Sequence, residues 1–364
     1  MPGHVYARTA CASRPAIALL AMLLLRAAIA QNVPNTAIAE SGALPDYRMR
    51  QQDFAAREVV VRHLAGNVYV VAGAGSNITA LAGDDGILLV DGSYAQMNDK
   101  VVAALRRISD KPIRFLVNTH FHGDHTGANE NFARLGATVI ASAATRVHLQ
   151  GQTPPDSHPA PYAALVANNP APPAAAGARP APGFGGAVPA AALPTIVLTQ
   201  PLTLYMDGEE VTILPAPHIE HTEGDLFVYF HHANVMALGD DYTTDYPAIN
   251  PAAGGTSQNA IDNFNAALAM TDAATRFVPG HGQISSRQDL TDLRDAVIAI
   301  RERIRAMVAQ GQSLEQVKAA RPSRQWDARF AMENVGHNDV FSTDRWYNIM
   351  YAEAQQYDKE RRAN

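Results

Sequence analysis

Between positions 118 and 127 the chain reads Asn-Thr-His-Phe-His-Gly-Asp-His-Thr-Gly, so His120, His122, Asp124 and His125 place three imidazoles and a carboxylate within six residues. A packed core has no use for that density of polar, ligand-type side chains, but a metal site does: imidazole nitrogen and carboxylate oxygen are common ligands of zinc and related ions. A solvated loop that happens to be rich in histidine is the plain alternative. It accounts for neither the H-x-H-x-D-H spacing nor the glycines at 123 and 127 that flank Asp-His-Thr.

A catalytic zinc takes three protein ligands and leaves a position open, and a dinuclear site takes about twice that number. The missing ligands belong in loops after later strands. Three positions qualify: His221 in His-Ile-Glu-His-Thr-Glu-Gly-Asp, Asp240 directly after Gly239, and His281 in Pro-Gly-His-Gly. Each sits beside glycine at a strand end, where the backbone can turn sharply into a shared cleft. His218 competes with His221, and Asp241 competes with Asp240. The Thr-Glu-Gly-Asp context favours His221, and the position after Gly239 favours Asp240.

The elements that must hold these residues are legible as short runs. Val59 to Val61, Val68 to Val71, Ile78 to Leu81 and Ile87 to Asp91 are β-branched stretches separated by glycine turns, which predicts an antiparallel meander. Tyr94 to Ile108 has helical spacing, and Ile113 to Val117 is the strand that delivers the histidine loop. Helices are expected at Asn129 to Leu135 and Ala143 to Gln150, with a strand at Thr138 to Ala141. Alternation of this kind implies a layered α/β domain whose chemistry lies on loops at strand ends.

A second meander is expected from Ile196 to Leu198, Leu202 to Tyr205, Val211 to Leu214, Leu226 to Phe230 and Val235 to Leu238. Helices follow at Ser257 to Met270, Leu290 to Gln310 and Arg345 to Gln356, with a short strand at Phe277-Val278. The expected architecture is two sheets packed face to face with helices outside. Residues 151–194 interrupt it with Ala, Pro, Gly and Asn and little aliphatic periodicity, as in a long surface loop or disordered insertion. Phe184 is its one candidate for touching a substrate.

The 364 residues carry a net charge of −6, which gives no basic footprint for nucleic acid or an anionic membrane, so a small-molecule substrate is the expected partner. Arg8 and Arg14 precede an apolar run from Ala16 to Leu25, and Ala28-Ile29-Ala30 offers a cleavage site, so residues 1–30 read as a secretory signal peptide. Arg26 interrupts that run short of the roughly 20 residues a membrane span needs. Cleavage would remove three arginines, taking the charge from −6 to −9, together with Cys11, the only cysteine. An exported, periplasmic protein is expected, with no disulfide and a metal site of His and carboxylate only. That donor set suits zinc, iron or manganese better than copper(I) or an iron–sulfur cluster.

Taken in order, Asp91 at a strand end, His120 to His125, His221 before Thr-Glu-Gly-Asp, Gly239-Asp240 and Gly280-His281-Gly282 resemble the signatures of the metallo-β-lactamase superfamily. The resemblance implies an α/β fold of the αββα sandwich type, two mixed sheets face to face with helices outside and metals at one edge. It implies two zinc ions: His120, His122 and His221 for the first, Asp124, His125 and His281 for the second, and Asp240 bridging. Asp91 is expected to orient a ligand by hydrogen bonds rather than bind metal. The domain would run from 58 to 312, after an N-terminal extension at 31–57 and before a C-terminal helical extension at 313–364.

Two departures narrow the resemblance. Some lactamase subclasses use a cysteine on the second metal, which the mature chain lacks, and the histidine-only subclass has no bridging Asp. The run Tyr246 to Asn250 and Gly254-Gly255 look like exported lactamase-like hydrolases of the wider superfamily. The expected reaction is hydrolytic opening of a cyclic amide or ester, β-lactams first and lactones or thioesters next, with water activated between two ions and Asp124 orienting it and passing a proton. A di-iron redox protein on the same scaffold and a non-catalytic exported accessory are the competing readings. Tyr242, Tyr246 and Ser286 are candidates for substrate contacts. His63, His148, His158, His231 and His232 are expected at the surface, and His337 in a turn.

Overall fold

The structure is a computed structural model that describes residues 38, 42–45, 54–155, 157–166, 186–331 and 342–363. The expected signal peptide, Phe184 and His337 lie outside the described residues.

Strands β1 (Val60–Ala65), β2 (Val68–Ala72), β3 (Ile78–Gly83) and β4 (Gly86–Val90) form the antiparallel meander. The chain then reverses its pairing. A single 3-10 turn and helix α1 (Asn98–Leu105), in place of one continuous helix from Tyr94, lead to β5 (Ile113–Val117), parallel to β4. A short helix α2 (Gly123–Thr126), α3 (Asn129–Arg134), β6 (Thr138–Ser142) and α4 (Ala143–Leu149) follow. Every residue of β4 is buried, as a central strand covered on both faces requires. Ser142 caps α4 by accepting from Thr145 N.

The stretch expected to be a loose insertion is anchored at both described ends. Tyr162, just before the short helix α5 (Ala163–Val166), is buried and donates from its hydroxyl to Gly255 O at 2.8 Å. On the return, Val188 N donates to Leu149 O at 2.8 Å and Ala192 O accepts from Asn129. An isolated aromatic in an Ala/Pro-rich stretch carries no periodicity, so its burial could not be read from composition.

A second correction concerns β7 (Ile196–Leu198). It was expected in the second meander, but it pairs parallel with β6, Ile140 opposite Ile196, and completes a seven-stranded sheet in the order β1 to β7. A three-residue apolar run has β propensity but no label for the sheet it joins; that is decided by the crossover through residues 151–194.

The second sheet contains β8 (Leu202–Met206), β9 (Glu209–Pro215), β10 (Leu226–Phe230), β11 (Val235–Ala237), β12 (Arg276–Val278) and β13 (Ser285–Ser286) in the order β13-β12-β11-β10-β9-β8. It too is mixed, antiparallel from β8 to β11 and parallel between β11 and β12. Helix α6 (Ser257–Ala269) precedes β12, and α7 (Arg287–Ala309), α8 (Leu314–Ala320), α9 (Arg324–Phe330) and α10 (Thr343–Ala363) end the chain.

Three apolar layers hold this together. Between the sheets, Val70, Leu81, Leu88 and Val117 meet Val211, Val228, Phe230 and Val278. Outside the first sheet, Met97, Val101 and Leu105 of the α1 segment and Phe132 of α3 cover Ile78, Leu89 and Leu116. Outside the second, Phe264, Leu293, Val297, Ile300 and Trp346 cover Phe227, Met236 and Phe277. The result is helix, sheet, sheet, helix. Each alternate side chain of a strand thereby leaves water, at about 1.5–3 kcal/mol for a large aliphatic or aromatic group.

Candidate metal centre

Ligand-type side chains from both sheets converge at one edge of the sandwich. The first sheet contributes the loop after β5, carrying His120 and His122, and the start of α2, carrying Asp124 and His125. The second contributes His221 between β9 and β10, Asp240 in the 3-10 turn after β11, and His281 after β12. Two glycines make the approach possible. A Cβ on Gly280 would fall 2.0 Å from Asp240 Oδ1, and Gly239, at φ +55°, would press a Cβ to within 2.5 Å of Thr119 Oγ1.

His120, His122, His221 and Asp240 each bring one ligand atom to a common point, all within 4.8 Å of one another. His122 Nδ1 lies 3.0 Å from His120 Nε2 and 2.9 Å from His221 Nε2. Asp124, His125 and His281 form a second group, their ligand atoms likewise within 4.8 Å of one another. Within it, His281 Nε2 is 3.1 Å from Asp124 Oδ2. Asp240 faces both groups with different oxygens. Its Oδ2 lies 3.8 Å from His120 Nε2 and 3.5 Å from His221 Nε2, while Oδ1 lies 3.3 Å from His125 Nε2 and 3.5 Å from His281 Nε2.

The residues expected to flank the centre behave differently from one another. Asp91 occupies the left-handed region at φ 67°, a strained conformation for a non-glycine residue, and its carboxylate is fully used. Oδ1 accepts from Thr119 N at 2.8 Å; Oδ2 accepts from Thr119 Oγ1 at 2.9 Å and faces His125 Nδ1 at 2.8 Å. Asp91 thus fixes the ring orientation of His125. His218 is exposed, and its backbone, not its ring, is held by Asn263. Asp241 is buried and accepts from Asn263 Nδ2 at 3.3 Å, away from both groups. Tyr242 packs edge-on against Phe264, and Tyr246 stacks on Trp346 and donates to Asp327, so both belong to the helix-covered core. Ser286 caps α7.

His148 was expected at the surface; it is instead half-buried and stacked on Phe121, ring centroids 3.9 Å apart and planes at 19°. Its Nε2 lies 2.8 Å from Glu223 Oε2, and Ser157 donates to the other oxygen at 2.5 Å. Phe121 in turn packs against His122 at 4.7 Å. Nothing around His148 in sequence signals this, because its partner is 75 positions away. His158, His231 and His232 are exposed and His63 is partly so.

The electrostatics divide the imidazoles. Burial and the charge of His125 hold His120 well below the usual histidine range, and burial with His221 takes His122 down to about 3. Burial also lowers His221. For His125, burial opposes charge, but Asp240, Asp91 and Asp124 outweigh it and raise the ring well above the ordinary value. His281 is raised to about 10 in the same way, burial being overcome by Asp240 and Asp124. Burial alone would raise Asp240, yet His281 and His125 hold it well below the carboxylate range.

These residues fit a metal. His125 Nε2 and Asp240 Oδ1 are buried without a hydrogen bond, although they face each other. His122 Nδ1 stands 2.9–3.0 Å from the other two imidazole nitrogens, near the edge of a zinc tetrahedron, about 3.3 Å for Zn–N bonds of about 2.0–2.1 Å. At most one nitrogen of each touching pair can carry a proton, so the cluster presents lone pairs to a common point.

Residues 71–281 match the model of the metallo-beta-lactamase superfamily. The chain is 37% identical over 67 residues to a linear primary-alkylsulfatase of Pseudomonas sp. (strain ATCC 19151), a match covering 18% of this chain and 12% of that protein. Its fold is similar to that of the stereoselective inverting sec-alkylsulfatase Pisa1 from Pseudomonas sp., with a TM-score of 0.54 and 17% identity over 82% of this chain. It spans 50% of that alkylsulfatase's length. A metallo-beta-lactamase from Pontibacter korlensis aligns over 65% of this chain and 99% of its own, with 16% identity and a TM-score of 0.47.

Proposed function

The chain belongs to the metallo-beta-lactamase superfamily, and from that premise we propose a dinuclear zinc hydrolase that opens a cyclic amide or ester, β-lactams first and lactones or thioesters next. The observation that carries this reading is Asp240, whose two oxygens address two separate groups of ligand atoms. His120, His122 and His221 would hold the first ion, Asp124, His125 and His281 the second, and Asp240 both. Bound there, the ions supply a water acidic enough to ionise near neutral pH and a Lewis acid for the substrate's carbonyl oxygen.

The chain's own residues do the rest. Asp124 keeps 15% of its side chain exposed, and His125 and His281 overcome burial to hold its carboxyl well below the usual range. It is therefore an ionised acceptor at the open side of the site that orients the attacking water, and by position it is also the group that would pass the water's proton to the leaving nitrogen or oxygen. Water oxygen bonds to the carbonyl carbon first, and the ring C–N or C–O bond breaks as the tetrahedral adduct collapses and the leaving atom is protonated, with no covalent enzyme intermediate. Phe121, packed between His122 and His148, gives this flank an apolar wall.

A second reading, sulfate-ester hydrolysis, is favoured by the 37% identity to the linear primary-alkylsulfatase. Metal analysis coupled to a panel of chromogenic β-lactam, lactone, thioester and alkyl sulfate separates the two. Turnover of alkyl sulfate alone replaces the first reading, and no hydrolysis by protein holding two ions overturns both. Export to the periplasm is part of the proposal, supported by the charge and apolar pattern of residues 1–30. Protein from the periplasmic fraction should begin at Gln31.

A further inference from the structure

We propose that Asn77, assisted by Ser76, is a positioning residue for the His281 half of the centre, governing occupancy of the second metal position while leaving the first largely unaffected. This rests on the two-ion reading above.

His281 stands between Gly280 and Gly282, and Gly282 has φ +104°. A turn flanked by glycines has more backbone freedom than any other, so its order must come from outside. Gly239 O and Tyr242 O accept from Gly280 N on one side, and Asn77 holds the turn from the opposite sheet. Its N–H donates to Gly280 O at 2.8 Å, and its side-chain amide donates to Pro279 O at 2.9 Å and Gly282 O at 3.0 Å. Three carbonyls around His281 are thus satisfied by one residue that is only 8% exposed. Two of these bonds need both protons of an amide NH2, which Asp lacks and Ala cannot replace.

The preceding residue does the same for the other ligand loop. Ser76, fully buried, donates from Oγ to Asp124 O at 2.7 Å. Two consecutive residues just before β3 therefore fasten the backbone at Asp124 and on either side of His281. The other half of the centre is held by different contacts: His120 Nδ1 lies 3.1 Å from Thr119 Oγ1, and His221 Nδ1 bonds Ala248 O at 3.0 Å.

The test is zinc stoichiometry of the full chain against a competing chelator, with melting temperatures of the metal-free proteins measured alongside. Wild type should retain two ions at a chelator level where Asn77→Ala and Asn77→Asp retain one. The weaker dissociation constant should rise roughly 10- to 100-fold, as for other groups that orient ligands. Excess zinc should restore the second equivalent, and Ser76→Ala should weaken the same step less. Should Asn77→Ala not fold, the isosteric Asn77→Asp and Ser76→Ala carry the test. Two ions held as tightly as in wild type, or both steps weakened equally, would overturn the proposal. Wild type taking up fewer than two ions overturns the two-ion reading and this inference with it.

Discussion

Asp91 Oδ2 lies 2.8 Å from Nδ1 of His125, while Nε2 on the far side of that ring is buried with no hydrogen bond. The carboxylate holds the proton on Nδ1, so Nε2, which points at Asp240 and Asp124, is the nitrogen that would give up its proton to a metal ion. Asp91→Asn keeps the shape but sets an amide against a ring N–H. The second ion should bind roughly 10- to 100-fold more weakly, with far-UV circular dichroism unchanged. Unaltered zinc affinity would remove Asp91 from the ligand-orienting role.

His122→Ala takes away the nitrogen that both His120 and His221 approach. It should abolish turnover and lower zinc content while the protein stays folded. Asp124→Asn should cost about 100- to 10,000-fold in kcat, the range for losing a positioned acid–base group. Wild-type kcat in either purified variant would contradict the dinuclear reading.

The metal-free protein should be most stable near pH 6.5. His122 is held down to about 3, so it favours the fold when neutral; that contribution is present above its ordinary value of 6.5 and is lost as pH falls toward 3. His281 is raised to about 10, so its contribution is complete below 6.5 and is lost as pH rises through 10. Calorimetric melting temperatures across this range should fall on both sides and flatten when zinc is added. A metal-free melting temperature that climbs steadily from pH 6.5 to 10 would contradict the assignment.

Ser286 closes a capping box with Asp289: its Oγ accepts from Asp289 N at 3.2 Å, and its N–H reaches Asp289 Oδ2 at 2.8 Å. Ser286→Ala should cost about 1 kcal/mol of stability, read from urea midpoints, with KM and kcat unchanged. A raised KM would return Ser286 to the substrate side.

What the sequence made legible was local. The candidate ligands His120 to His125 announce themselves by spacing, and His221, Asp240 and His281 by the glycines and strand ends near them, because a sharp backbone turn leaves a compositional trace. Strand runs such as Ile87 to Asp91 and Ile113 to Val117 were visible for the same reason. What remained hidden was long-range. Whether β7 joins one sheet or the other, whether Tyr162 finds Gly255, and whether His148 meets Glu223 depend on chain crossovers that no short window contains. Asn77 is hidden likewise, since its partners lie 202 and 205 positions away.

The 2.9 Å approach of His122 to His221 joins loops 99 residues apart that belong to different sheets. An ion held there is a staple across the seam of the sandwich, and it can bind only after the two sheets have docked. Folding stability then follows mass action, gaining about 2.7 kcal/mol when free metal stands at 100 times its dissociation constant. The persistence of the folded protein would rise and fall with the metal supply of its surroundings, so that metal starvation would remove the protein as well as its activity.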